Sequence, residues 1–328
     1  MCPRSALYFS SPCEREDEKL DVDPSESNAV DSRDTLAKNK KLSADVQFRR
    51  LEEIKKLVVV AMFSDDLLME RLVLKGGNAL DLIFRISTRA SSDMDFSMQG
   101  DFQDEVEQEA VLRRVEKALK QTFGEAGYEV FDVKIEDKPD GLTADLADIW
   151  GGYGVEFKLI EKEKHDQFAM NVERLRRNAL QFNPGASTKF TIDISKFEYT
   201  TGKEARDLDG YRIFVYSPEM IVCEKLRAIC QQMEEYGSVV KRNRAGRARA
   251  RDFLDIYTIV VERQLEMCSD ENRALLSRVF DAKRVPLSLL DLLPNYWEFH
   301  RRDFPAVQAT VKAYTSPWCI EMRHKWQP

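Results

Sequence analysis

Histidine and cysteine are scarce in this chain, and their positions exclude more than their numbers do. The 328 residues include three histidines, His165, His300 and His324, too far apart in sequence to form a zinc-ligand cluster. The six cysteines, Cys2, Cys13, Cys223, Cys230, Cys268 and Cys319, are scattered without a CxxC. No disulfide framework is expected in a chain of this size, and reduced thiols in the cytoplasm are the better reading. Long apolar runs are also missing. The longest, "LVVVAMF" from Leu57 to Phe63, is far short of the ~20 residues that span a bilayer. The first residues lack an apolar stretch of signal-peptide type, so no secretory signal is expected. An excess of basic residues is absent too. The net charge of −7 argues against a wholly basic nucleic-acid coat but leaves room for a local basic patch.

What is present is enough for a sizeable core. The chain is 43% hydrophobic and 33% charged, which suits one large or two smaller domains. Residues 1–42 are polar, acidic in their first part and aperiodic, and read as a disordered tail. From Ser43 the pattern changes: Phe48, Leu51, Ile54, Val58 and Ala61 recur with a helical period. A second helical pattern runs from Glu105 to Phe123. Strand-like alternation follows in "YEVFDVKIED", "YGVEFKLIEK" and "KFTIDISKFEY". Beyond Pro218 the chain reads as almost wholly helical. The expectation is an α+β chain: a mixed-sheet domain over 43–205 and a mostly helical part over 206–328. No internal repeat is visible.

The stretch "LKGGNALDLIFRISTRASSDMDF", Leu74 to Phe96, carries the chemistry. In a strand, residues i and i+2 share a face, so Asp93 and Asp95 project together while Met94 and Phe96 face the core. Two carboxylates side by side repel unless a cation lies between them. Their hard oxygens suit Mg²⁺, which also binds substrate phosphates. Upstream, Gly76 and Gly77 lack a Cβ and let another group approach the backbone. Ala79, Leu80, Ile83 and Phe84 then fit a helical face, and amides at such a start offer an anion site. Lys75 adds a positive charge beside them. A lone glycine pair or a lone DxD is common, but this order within about twenty residues is far more specific.

These residues resemble the signature of the AbiEii-type nucleotidyltransferases, the toxin half of type IV toxin–antitoxin and phage-abortive systems. That family belongs to the polymerase-β-like nucleotidyltransferase superfamily and has a form close to LKGGTAL…RFSEDLDF. Asn78 stands where Thr or Ser is usual, and Ala90-Ser91-Ser92 where Phe-Ser-Glu is typical. The resemblance implies Asp93 and Asp95 as metal ligands, and Lys75, Gly76, Gly77, Asn78, Ser92 and, further on, Lys225 as the grip on a nucleoside triphosphate. It also implies a third carboxylate on a later strand. In "KFTIDISKFEY", Thr191, Asp193 and Ser195 share one face and Ile192 and Ile194 the other, which makes Asp193 the candidate. Glu156 and Glu198 are the substitutes.

Two further phrases match. In "YSPEMIVCEKLRAICQQ", Ser217 and Pro218 suit the start of a helix. On that helix Lys225 stands amid Ile221, Val222, Ala228 and Ile229. Such a lysine snorkels, joins a structural ion pair, or points at a phosphate. The phrase resembles the family's E-K-L-x-A motif through Glu224, Lys225, Leu226 and Ala228. In "KRNRAGRARARDFLDIYTIV", a basic run precedes Asp252 and Asp255 at i and i+3. It resembles R-x-K-D-[LF]-x-D-[IL]-Y, with Arg251 where lysine is common. The resemblance implies that Asp252 pairs with or orients Lys225; otherwise these acids simply match the helix dipole. Arg244, Arg247, Arg249 and Arg251 are candidates for RNA phosphates. Trp297, Phe299 and Phe304 read as packing.

The resulting expectation is a nucleotidyltransferase using Mg²⁺ or Mn²⁺, with Asp93, Asp95, Asp193, Lys225 and Asp252 catalytic. It transfers NMP from an NTP to an acceptor, a host RNA such as tRNA, under restraint by a cognate antitoxin and with no membrane association. Two rivals stay open: a catalytically silent nucleotide- or RNA-binding module, and an enzyme moving the γ-phosphoryl group on the same fold.

Overall fold

In the computed structural model, residues 46–86, 93–102, 105–141, 143–181, 187–242 and 245–310 are described. Met1–Arg50 is set apart as its own unit; only 46–50 of it are described, and they are helical. The expected tail therefore lies outside the described residues. The second unit begins at Leu51 and carries everything that follows.

Its elements in chain order are helix α1 (51–63), α2 (Asp66–Arg71) and strand β1 (Val73–Leu74). Next comes α3 (Gly76–Asn78), continued as a π-helix over Ala79–Phe84, then β2 (Met94–Ser97), α4 (Glu105–Glu125), β3 (Tyr128–Lys138) and β4 (Gly152–Glu161). After α5 (Lys162–Phe168) and α6 (Val172–Arg177) come β5 (Phe190–Ser195), β6 (Glu204–Leu208) and β7 (Tyr211–Val215). Helices α7 (Pro218–Cys230), α8 (Glu234–Val239), α9 (Ala250–Glu262) and α10 (Asp270–Asp281) follow. A 3₁₀ segment (Leu287–Tyr296), α11 (Trp297–Arg301) and α12 (Phe304–Thr310) complete the described chain.

The strands form one mixed seven-stranded sheet in the order β3-β4-β5-β2-β1-β7-β6. The α+β expectation holds, but the sheet extends further along the chain than the alternation suggested. β6 and β7 form a hairpin, and β7 runs parallel to β1 through Leu74 and Val215. Asp209 and Gly210 turn the hairpin with φ values of 54° and 83°. Positive φ at both central positions is what a two-residue hairpin turn needs, and Asp-Gly supplies it.

Local chemistry places the helices. Ser217 caps α7 by accepting from the Met220 N–H at 3.2 Å, and Pro218 fills the first turn. The Asp65 side chain caps α2 in the same way. One apolar cluster joins the inner face of the sheet to α1 through Ile54 and Val58, to α4 through Val115 and Leu119, and to α7 through Met220 and Ile221. A smaller cluster packs Cys230 and Tyr236 against Phe280 of α10. Phe304 is buried against Ala250, and Trp297 meets Phe253 edge-on, as packing residues do. No described helix is long and apolar enough to cross a membrane.

Candidate active site

Two adjacent strands bring the acids together. β2 and β5 run parallel and in register, with Asp95 opposite Asp193. Met94, Phe96, Ile192 and Ile194 are at most 5% exposed, which assigns that face to the core. Asp95 and Asp193 therefore stand side by side on the other face. Asp93 lies two residues before Asp95 and is exposed. The Asp95 carboxyl is pushed up to about 6, by burial first; Lys75 opposes, and the charges of Asp93, Glu224 and Asp193 add to the rise.

The glycine turn closes over Asp95. Gly76 has φ +69°, and a Cβ there would stand 2.7 Å from Asp95 Oδ2. Only glycine combines that backbone with that approach. Gly76→Ala is expected to cost about 1–3 kcal/mol in strain. It should also lower turnover at least about tenfold by displacing Asp95, since small misplacements of reacting groups cost that much or more. Urea melts and initial rates check both; a variant unchanged in each would contradict the close approach.

Lys75 connects this turn to a buried charge network. Its backbone N–H donates to the Asp95 carbonyl at 3.0 Å. Its ammonium donates to Ser195 Oγ at 3.0 Å and lies 3.7 Å from Glu198 and 3.6 Å from Glu224. Burial pulls its pKa down, but Glu198, Glu224 and Asp95 outweigh burial and raise it. Glu198 in turn accepts from Arg227 Nη1 at 2.8 Å and lies 3.7 Å from Lys283. Burial opposes ionisation of Glu198, yet Arg227, Lys75 and Lys283 hold its carboxyl down to about 2. A cavity of about 390 Å³ opens here, lined by Lys75, Asp193, Glu224, Arg227, Arg249 and Lys283, with Trp150 and Gln231 also in its wall.

A second network lies behind it. Lys225 is buried on α7 and donates to Asp252 at 2.9 Å and Asp255 at 2.7 Å. Asp252 also accepts from Arg249 Nε at 2.5 Å, and Arg249 reaches the cavity. Burial pulls the Lys225 pKa down, and the two aspartates overcome it and raise it. Burial pushes Asp252 up, and Lys225 and Arg249 bring it down to about 2.

Compared with known families, residues 58–317 match the family of the nucleotidyl transferase AbiEii toxin of type IV toxin–antitoxin systems. The chain belongs to the AbiEii nucleotidyltransferase toxin family. A crystal structure of an antigenic nucleotidyltransferase-like protein from Paracoccidioides brasiliensis aligns over 74% of this chain and 92% of that one, with 16% identity and a TM-score of 0.32. No curated protein matches. As a member of this family the chain is a nucleotidyltransferase.

Within this AbiEii toxin the candidate residues divide into groups. Asp95 stands beside Asp193 across β2 and β5, with the Gly76 turn and the Lys75 backbone against Asp95 and the charge of Asp93 nearby. Asn78 is fully buried, and its amide donates to the Asp93 carbonyl and lies 3.3 Å from Met94 Sδ. That contact anchors the first acid of the DxD rather than reaching outward. Of the arginines, Arg249 is tied to Asp252, whereas Arg247 and Arg251 are exposed. Ser92 and Arg244 lie outside the described residues. Glu156, on β4, pairs with Lys189 at 2.6 Å.

Several charged residues of the site were not singled out by the sequence. Arg227 is only 2% exposed on α7, and an arginine in an apolar helical stripe is the same kind of signal as Lys225. Lys283 arrives from beyond α10. Burial pulls its ammonium down to about 8, with Glu198 resisting. Lys138, at the end of β3, ion-pairs with Asp193 at 2.5 Å.

The donor type, though not a finished site, suits a divalent cation. Hard carboxylate oxygens of Asp95 and Asp193 stand on adjacent strands with the Gly76 turn close over Asp95, and the Lys138 ammonium competes for Asp193. Among the described residues no three such side chains are gathered into a finished cage. Asp193 is instead turned to Lys138.

Proposed function

We propose that this AbiEii toxin is a metal-dependent nucleotidyltransferase that moves a nucleoside monophosphate from an NTP to a hydroxyl of a host RNA. A tRNA acceptor end is the first candidate, and a cognate antitoxin restrains the enzyme in a cytoplasmic, phage-abortive setting. The observation that supports the chemistry best is the in-register pair of Asp95 and Asp193 beside the Gly76 turn.

Transfer at the α-phosphate is an in-line displacement. A bond forms from the attacking oxygen to the α-phosphorus, the bond to the pyrophosphate oxygen breaks, and the hydroxyl proton leaves. Asp95 and Asp193, with Asp93, are the residues to hold Mg²⁺ or Mn²⁺, which when bound neutralises phosphate charge. Asp193 would also take up the departing proton. Lys75, held as a cation by its acidic neighbours, supplies a fixed positive charge at the turn. Lys225 and Asp252 act as positioning residues for Arg249, whose guanidinium reaches the cavity that would take the polyphosphate. The exposed Arg247 and Arg251 suit the RNA backbone, which makes acceptor binding weaken with salt.

Incubating the protein with Mg²⁺ or Mn²⁺, total RNA and each NTP labelled at the α- or γ-phosphate tests this reading. Label from one or more α-labelled NTPs is expected on RNA, with none from the γ position. Label from the γ position alone would mean phosphoryl transfer. No labelled RNA with any of the four would overturn the RNA acceptor.

A further inference from the structure

Lys138 lies on the face the acids share, and neither the family nor the transfer step gives it a role. On β4 the residue opposite Asp193 is Gly154, and Gly152, two positions away, is opposite Ser195. On the next strand out, Lys138 pairs with Gly152. Its stem crosses Gly154 so closely that a Cβ there would stand 2.3 Å from Lys138 Cε. Its ammonium ends on Asp193 Oδ1 at 2.5 Å. The strand between lysine and aspartate is thus bare where the lysine must pass. The pair itself is half-exposed, with side chains 49% and 43% accessible, so it is weak and readily exchanged. Lys138 also lines the cavity that holds Lys75 and Arg249.

We propose that Lys138 couples the divalent cation to the triphosphate. In the empty enzyme it holds Asp193. When the cation takes Asp193, the ammonium is released and turns to the phosphates entering the cavity. The inference rests on the metal-dependent reading above. Its physical basis is competition: an ammonium and a divalent ion repel when both face one carboxylate. A cation entering alone must displace Lys138 and leave it unpaired beside a like charge. A triphosphate gives the displaced lysine a new partner. Each ligand therefore tightens the other, and the coupling is reciprocal. The enzyme thereby favours loading of the cation–triphosphate pair over the cation alone.

The test is Mn²⁺ binding, read by electron paramagnetic resonance of free Mn²⁺. It is run on the full chain with and without a triphosphate carrying a methylene in place of the α,β-bridging oxygen. Wild type, Lys138→Met, Lys138→Arg, Gly154→Ala and Asp193→Asn are compared, and melting curves show that each is folded. Lys138→Met is expected to bind Mn²⁺ alone roughly two- to fivefold tighter and the Mn²⁺–triphosphate pair weaker by a similar factor. Changes of opposite sign are what a merely structural lysine does not produce. Lys138→Arg should stay closer to wild type in both. Gly154→Ala should tighten Mn²⁺ alone, because the stem loses its path while the ammonium remains. If Asp193→Asn weakens Mn²⁺ binding but Lys138→Met changes nothing, or moves both affinities the same way, the coupling role is overturned and the metal site stands. If no variant binds Mn²⁺ in either condition, the metal-dependent reading falls and the coupling with it.

Discussion

Asp95→Asn is expected to remove nucleotidyl transfer while leaving the fold as stable as before or more so. Asp95 is closely held by its surroundings: strand-paired to Asp193, two residues from Asp93, and covered by the Gly76 turn. The amide keeps the shape but loses the charge that a cation needs. Removing one preorganised electrostatic group from a reacting centre costs roughly a hundred- to a thousandfold in turnover. The stability result follows from the same surroundings. Burial and the charges of Asp93, Glu224 and Asp193 all disfavour the ionised form. Replacing a repelled anion with a neutral isostere relieves the fold, so the melting temperature in EDTA should not fall. A variant that loses activity by melting, or keeps activity while intact, would contradict the assignment.

Lys225→Met is expected to do the reverse and strike stability first. Its ammonium is the shared partner of Asp252 and Asp255, and all three side chains are at most 7% exposed. Removing one member of a buried ion cluster leaves uncompensated charge, at a cost of about 3–5 kcal/mol. Asp255→Asn in the Lys225→Met background should restore part of the loss, because one of the two carboxylates that share the Lys225 ammonium is gone. Turnover should fall as well, since Arg249 is held through Asp252. The pH dependence has a definite sign. Asp252 is depressed to about 2 in the folded chain, against an ordinary value near 3.8. Its stabilising contribution is therefore complete above the ordinary value and is lost as pH falls through about 2. Acid melts of wild type should show that loss, and Asp252→Asn should show less of it. Equal acid sensitivity in both would contradict the role of the network.

The parts of the site that are readable in the sequence are those set by local pattern. Alternation in "DMDF" and "TIDIS" assigns Asp95 and Asp193 to the face opposite Met94, Phe96, Ile192 and Ile194. Ser217-Pro218 marks the start of α7, which carries Lys225 to its place. For Lys225 the sequence reading favours a grip on phosphate over snorkelling or an ion pair; the packing of α9 against α7 instead gives its ammonium two aspartates.

What was not readable depends on crossings between distant strands. Lys138 meets Asp193 across 55 positions because β4 intervenes with a glycine, and no window of sequence shows that. Lys283 reaches Glu198 from beyond α10 for the same kind of reason. Asn78 occupies a position where the family pattern suggests phosphate, yet its amide is turned inward to the Asp93 carbonyl. The β6–β7 hairpin is a different case. "DLDGYRIF" contains the Asp-Gly turn signal, but Glu204–Leu208 is an edge strand with little inward alternation.

The central proposal is that Asp95 and Asp193, with Asp93, would hold a divalent cation. Anomalous diffraction from crystals soaked with Mn²⁺ and a non-hydrolysable triphosphate tests it most directly. The account predicts a manganese peak beside Asp95 and Asp193, with Lys138 withdrawn from Asp193. A peak at other side chains, or triphosphate bound with Asp193 still on Lys138 and no manganese beside it, would contradict it.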